Sequence, residues 1–145
     1  MIKHVALKHG WFYFYRLHTA KVSSLCQNGF SNLKQYLDAT FQSCPSEVFE
    51  KGPRSSKLRL DLGIKPVEIK NHEICQLASE GLESDHYKTA HSKVEVHMLQ
   101  YDNKTIGVEV PIWLYPEEWK GFQKTFQSED PLSGHIDVLR IDDHN

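Results

Sequence analysis

The stretch KVEVHMLQYDNKTIGVEVPIWLY, residues 93–115, decides how the chain reads. Lys93 to Tyr101 alternates polar and apolar residues, the period-2 pattern of a half-buried strand. Asp102-Asn103 supplies a turn, and Thr105 to Tyr115 returns as a second strand, so the spacing predicts a β-hairpin. Pro111 has no N–H to give to a ladder, which predicts an edge position or a bulge. Downstream, Pro116, Glu117 and Glu118 open a helix expected to run to about Phe126, with Pro at the first helical position and acids in the first turn. DPLSG (130–134) reads as a loop and HIDVLRI (135–141) as a third strand. Upstream, Ile74, Leu77, Ala78 and Leu82 mark one face of a helix from residue 71 or 72 to about 89, which Gly81 weakens by about 1 kcal/mol relative to Ala.

The N-terminal half reads mainly as helix. GWFYFYRLH (10–18) is an aromatic-rich strand, and Asn28-Gly29 is a turn. Ser31 is placed to cap a helix over residues 32–42, with Leu33, Tyr36, Leu37 and Phe41 at helical spacing. Ser43, Cys44 and Pro45 open a shorter helix holding Val48 and Phe49, which Gly52-Pro53 stops. KGPRSSK (51–57) is a basic loop, solvated or contacting phosphate, and KLRLDL (57–62) alternates as a half-exposed strand or a short surface segment would. The fold class is therefore α+β (or α/β). A helical N-terminal part packs on a small mixed sheet built from residues 92–115 and 135–141. All 145 residues form one domain, with 1–70 as the N-terminal part and 71–145 as the rest.

Seventeen Lys and Arg against nineteen Asp and Glu give a net charge of −2, which excludes a globally basic nucleic-acid coat. Local clusters such as Lys51, Arg54 and Lys57 remain available. No run of eighteen apolar residues occurs, and MIKHVALKHG lacks a signal h-region, so a membrane span is excluded and a cytoplasmic location expected. Cys26, Cys44 and Cys75 form no CxxC pair and read as reduced, packed thiols. Nine histidines show no HExxH spacing, and there is no GxGxxG, Walker or GxSxG motif.

Two acids stand out. Asp137 lies among Ile136, Val138, Leu139 and Ile141, and Glu109 lies between Val108 and Val110. A carboxylate in an apolar strand is costly unless paired or bound to a cation. On adjacent strands the two would hold Mg²⁺ or Mn²⁺ through oxygen; alternatively both face solvent.

The helix leading into HSKVEVHML, the acidic strand TIGVEVPIWL and then GHIDVLRI, from about Gly81 to Ile141, resemble the RecB-like branch of the PD-(D/E)XK nuclease superfamily. That resemblance implies a restriction-endonuclease-like core, divalent-metal-dependent hydrolysis of DNA, and a metal-binding aspartate from a G-x-x-D strand. Gly134, His135, Ile136 and Asp137 stand in that pattern. It further implies an assisting acid, Glu109 with Glu95 behind it, and a histidine on the preceding helix, His91 with His86 as the alternative. The chain departs from the family after Asp137, where residues 138–145 contain no acid-x-lysine motif. Glu68-Ile69-Lys70 precedes the aspartate, in the wrong order. The expectation is an incomplete nuclease domain, cut before its catalytic lysine and inactive as it stands. The alternative is a non-catalytic module that binds nucleic acid or protein.

Overall fold

A computed structural model describes residues 1–55, 63–119 and 129–142. Residues 2–18 fold as an antiparallel hairpin, β1 (Ile2–His9) against β2 (Trp11–His18), turning at Gly10 with φ 76. A positive φ is open to glycine without steric penalty, so the strands pass from His9 to Trp11 across a single residue. Three helices follow: α1 (Thr19–Leu25), α2 (Ser31–Gln42) and α3 (Ser46–Lys51). Then come α4 (Glu73–Leu82), α5 (Ala90–Tyr101), β3 (Thr105–Leu114), a 3₁₀ turn (Pro116–Trp119) and β4 (Leu132–Arg140).

The strands form one sheet in the order β1-β2-β3-β4, antiparallel throughout. It is α+β, as the residue patterns predict. The sheet is not mixed, however, and it does not come from the C-terminal half alone, since two of its strands lie within residues 2–18. Pairing of β2 with β3 is confined to Arg16↔Val108 and Leu17↔Gly107. Pro111 lies on β3 beyond that short seam, where its missing N–H breaks no bond to β2.

Leu7, Tyr15 and Leu17 of the hairpin pack with Val22, Cys26, Leu37, Ile106, Val110 and Ile141 into the main core. Burying each of these aliphatic side chains contributes about 1.5–3 kcal/mol. The Tyr15 hydroxyl, inside this core, donates to the Leu37 carbonyl at 3.1 Å. Helix α2 begins at Ser31 itself, with Phe30 at the cap position and no side-chain cap bond, one residue earlier than Ser31-capping implies.

The predicted strand over 93–101 is a helix. Thr89 caps α5, its side chain accepting from the Ser92 N–H at 3.1 Å, and Glu95, Val96, Met98 and Leu99 are its buried residues. Spacings of three and four put those residues on one helix face, and the polar Glu95 among them hid the period in the sequence. Asp102-Asn103 consequently joins a helix to β3 and is no hairpin turn. The helix expected over 71–89 ends at Leu82. Gly81 lies where α4 crosses α5: a Cβ there would sit 2.9 Å from the Val94 Cα. Strand β4 starts at Leu132, so part of the expected 130–134 loop belongs to the sheet. The segment 57–62 and the helix expected beyond residue 119 lie outside the described residues.

Candidate metal centre

Helix α5 and the β3–β4 pair converge on four side chains. His91 and Glu95 stand one turn apart on α5. Ladder pairs Val108↔Val138 and Val110↔Ile136 bracket Glu109 and Asp137, setting these acids across from each other on neighbouring strands. One ligand atom from each of the four lies within 4.8 Å of all the others. Glu109 occupies this place with a backbone φ of 51, the single positive φ outside glycine among the described residues. Such a conformation costs about 1–3 kcal/mol for a residue with a Cβ and persists where surrounding structure enforces it.

The group is short of hydrogen-bond donors. His91 Nε2 is 2.9 Å from Glu109 Oε1 and 3.0 Å from Glu95 Oε1, and a single ring N–H cannot donate well to both. Glu95 Oε1 and Glu109 Oε2 are buried with no hydrogen-bond partner. Burial first, then the charges of Glu109 and Asp137, push Glu95 up to about 8. Burial alone would lower the His91 imidazole, but its hydrogen bond to Glu109 and the charges of Glu95, Glu109 and Asp137 raise it. Crowded carboxylates with orphaned oxygens around one imidazole fit a divalent cation: three oxygen donors suit Mg²⁺ or Mn²⁺, and the single nitrogen is better tolerated by Mn²⁺.

A cavity of 290 Å³ opens beside the cluster, and His91, Glu109 and Asp137 form one side of it. Its other wall comes from His9, Tyr13, Phe49, Arg54 and His135. His9 stacks on Phe49 at 3.7 Å between centroids, His135 stacks on Tyr13 at 4.0 Å, and His9 Nδ1 meets His135 Nε2 at 2.7 Å. Burial, with Arg54 nearby, depresses His9 to about 4, and burial with His9 and Arg54 depresses His135 to about 4. Both rings are thus neutral at pH 7, one donating to the other. Arg54 is fixed by donation to the Tyr13 hydroxyl at 2.6 Å and the His9 carbonyl at 2.7 Å. Gly134 leaves room for this loop, because a Cβ there would sit 2.3 Å from Ser55 Oγ.

Of the residues singled out from sequence, the structure gathers Asp137, Glu109 and His91, together with Glu95, which the sequence ranked behind Glu109. His86 is exposed on the loop after α4 and stands outside the group. Arg54 reaches the cavity, while Lys51 is exposed at the end of α3 and Lys57 lies outside the described residues. Glu68 and Lys70 form an exposed pair at 3.6 Å. The cysteines are free: Cys26 is buried and its thiol is raised by burial, burial and Glu47 push Cys44 up to about 11, and Cys75 is exposed. Neither raised thiol is poised as a nucleophile. The sequence reading missed His9 and Tyr13; the Gly10 turn between two aromatic- and histidine-bearing segments was the available signal. No helix among the described residues is long and apolar enough to cross a membrane. Comparison with known protein families, with curated proteins and with solved structures finds no match for this chain.

Proposed function

We propose that His91, Glu95, Glu109 and Asp137 hold Mn²⁺ or Mg²⁺ and that the domain acts on DNA phosphodiester bonds, as the resemblance to RecB-like PD-(D/E)XK nucleases and their restriction-endonuclease-like core implies. The supporting observation is the convergence of four ligand atoms within 4.8 Å with two buried carboxylate oxygens left without a hydrogen bond. A bound divalent cation polarises the scissile phosphate and lowers the pKa of its water. Asp137 and Glu109, from neighbouring strands, fix the position at which that chemistry takes place. His91 orients Glu109 through their hydrogen bond. Arg54, held by Tyr13 and His9, offers a fixed positive charge at the cavity for a phosphate oxygen. Free cysteines support a reducing, cytoplasmic setting.

Calorimetry with Mn²⁺ tests the cation site: one site is expected, weakened at least tenfold in Asp137→Ala. Residues 138–145 carry no acid-x-lysine motif, so the sequence expectation is an inactive site; incubating labelled DNA with Mn²⁺ tests it, and cleavage that Asp137→Ala abolishes would show that the four residues suffice. Among the described residues no lysine lines the cavity, which favours the second reading, a non-catalytic nucleic-acid-binding module. Mn²⁺ and DNA binding without cleavage selects that module; absence of Mn²⁺ binding overturns the metal centre itself.

A further inference from the structure

The β1–β2 hairpin turns one face to the cavity and core; on the other, Arg16 is half-buried beside Tyr87 while Phe12 and Phe14 stay exposed. Tyr13, Tyr15 and Leu17 face inward, and alternation sends Phe12, Phe14 and Arg16 to the opposite side. Phe12 is 58% exposed and Phe14 45%. Directly across the ladder stand Lys8 opposite Phe12, Ala6 opposite Phe14 and His4 opposite Arg16. Ala6 is too small to cover a ring, so both phenylalanines keep a free aromatic surface. The Arg16 guanidinium lies 5.2 Å from the Phe14 ring centroid and 5.9 Å from that of Tyr87.

Charge separates this face from the rest of a chain whose net charge is −2. Residues 1–37 contain no Asp or Glu, and of their five Lys and Arg, Lys8 and Arg16 stand on this face. On this face, among the described residues, Lys8 has no ion-pair partner, so its charge is available to a ligand. Exposed aromatic rings interleaved with unpaired cations match what an unpaired nucleotide strand presents, base faces alternating with phosphates. Phe12 and Phe14 are two strand rises apart, about 6.8 Å. That is twice the rise of about 3.4 Å in a stacked duplex strand, and it suits bases splayed one by one onto the protein.

We propose that the outward face of the β1–β2 hairpin binds a single-stranded polynucleotide, stacking bases on Phe12 and Phe14 and holding phosphates with Lys8 and Arg16. The proposal deepens the phosphodiesterase reading and rests on it in one respect, that the bound strand is the one led to the carboxylate cluster. Tyr13, between the two phenylalanines in sequence, points to the opposite side of β2 and lines the cavity that holds Glu109 and Asp137.

Fluorescence anisotropy of a labelled 20-nucleotide oligo(dT), with the full chain in EDTA, tests binding without a cation. The single strand binds more tightly than a 20-base-pair duplex, with a log–log salt slope of about −1.4 for two phosphate contacts. Phe12→Ala and Phe14→Ala each weaken binding about 5- to 150-fold. Phe12→Leu with Phe14→Leu weakens it comparably, since leucine keeps apolar area and loses the aromatic face; this pair also carries the test if the alanine variants fail to fold. The leucine pair retains wild-type Mn²⁺ affinity, so loss of the metal-centre reading and loss of the platform register separately. Equal affinity for duplex, indifference to the leucine pair, or binding to phosphatidylserine vesicles in place of the oligonucleotide overturns the proposal.

Discussion

Glu109 carries its carboxylate on a left-handed backbone, and this sets an order of stabilities opposite to that of an ordinary strand. Within a regular strand Gly is less stable than Ala by about 0.5–1 kcal/mol. At φ 51 the Cβ is itself the strained atom, at about 1–2 kcal/mol. Glu109→Gly is therefore expected to unfold at a higher denaturant concentration than Glu109→Ala, although both lose the same carboxylate. Equal midpoints would show that the backbone there is unstrained. Glu109 was legible in sequence because an acid buried among β-branched residues is costly, whereas Asp137, exposed on β4, was singled out by the G-x-x-D pattern of residues 134–137. Glu95 was less legible, since the alternation around it suggested a solvent-facing strand position. His9 and Tyr13 were not legible at all, because the His9–His135 contact spans 126 residues and no local pattern encodes it.

Helix α5 shows where period-based reading fails. KVEVHML satisfies alternation by composition, and its valines favour a strand, yet Thr89 provides a cap that the alternation outshone. The packing of α4 on α5 explains why Gly81 sits inside a helix where Ala would raise propensity by about 1 kcal/mol. An Ala Cβ would lie 2.9 Å from Val94 Cα and 3.0 Å from His97 Cβ, so the helices must separate. Overpacking of this kind costs about 1–3 kcal/mol. Gly81→Ala is thus expected to lower the midpoint of urea unfolding despite its better propensity, and a raised midpoint would mean that α4 shifts freely. The α2 and α3 helices, by contrast, were legible from spacing and breakers, since their apolar faces carry no functional acid.

At the scale of the molecule, one ionic knot ties the ends of α4, α5, β3 and β4. Asp102, which ends α5, accepts from Arg140 Nε at 2.7 Å and from the Lys104 N–H at 3.2 Å, while Arg140 also reaches Glu73 at 2.6 Å. The Arg140 and Asp102 side chains are 6% and 7% exposed. Burial alone would raise the Asp102 carboxyl, but its bonds to Thr105, Lys104 and Arg140 hold it below the usual carboxylate range. The unfolded chain then takes up this proton first as pH falls. The contribution to stability is complete above the ordinary aspartate pKa of about 4 and is lost below it as pH approaches the folded-state value. Asp102→Asn is expected to cost about 3–5 kcal/mol at neutral pH and to flatten the acid limb of a stability–pH curve. An unchanged acid limb would assign that limb to other carboxylates. The short β2–β3 seam has a kinetic counterpart. It joins Leu17 to Gly107, roughly ninety residues apart, so closing it carries a large loop entropy for only two paired positions. The α4–α5 pair and the β3–β4 ladder are local by comparison and can nucleate before it. The carboxylate cluster, drawn entirely from residues 91–137, is then expected to assemble early. The aromatic hairpin is expected to dock late, so that the two walls of the cavity meet as one of the final events of folding.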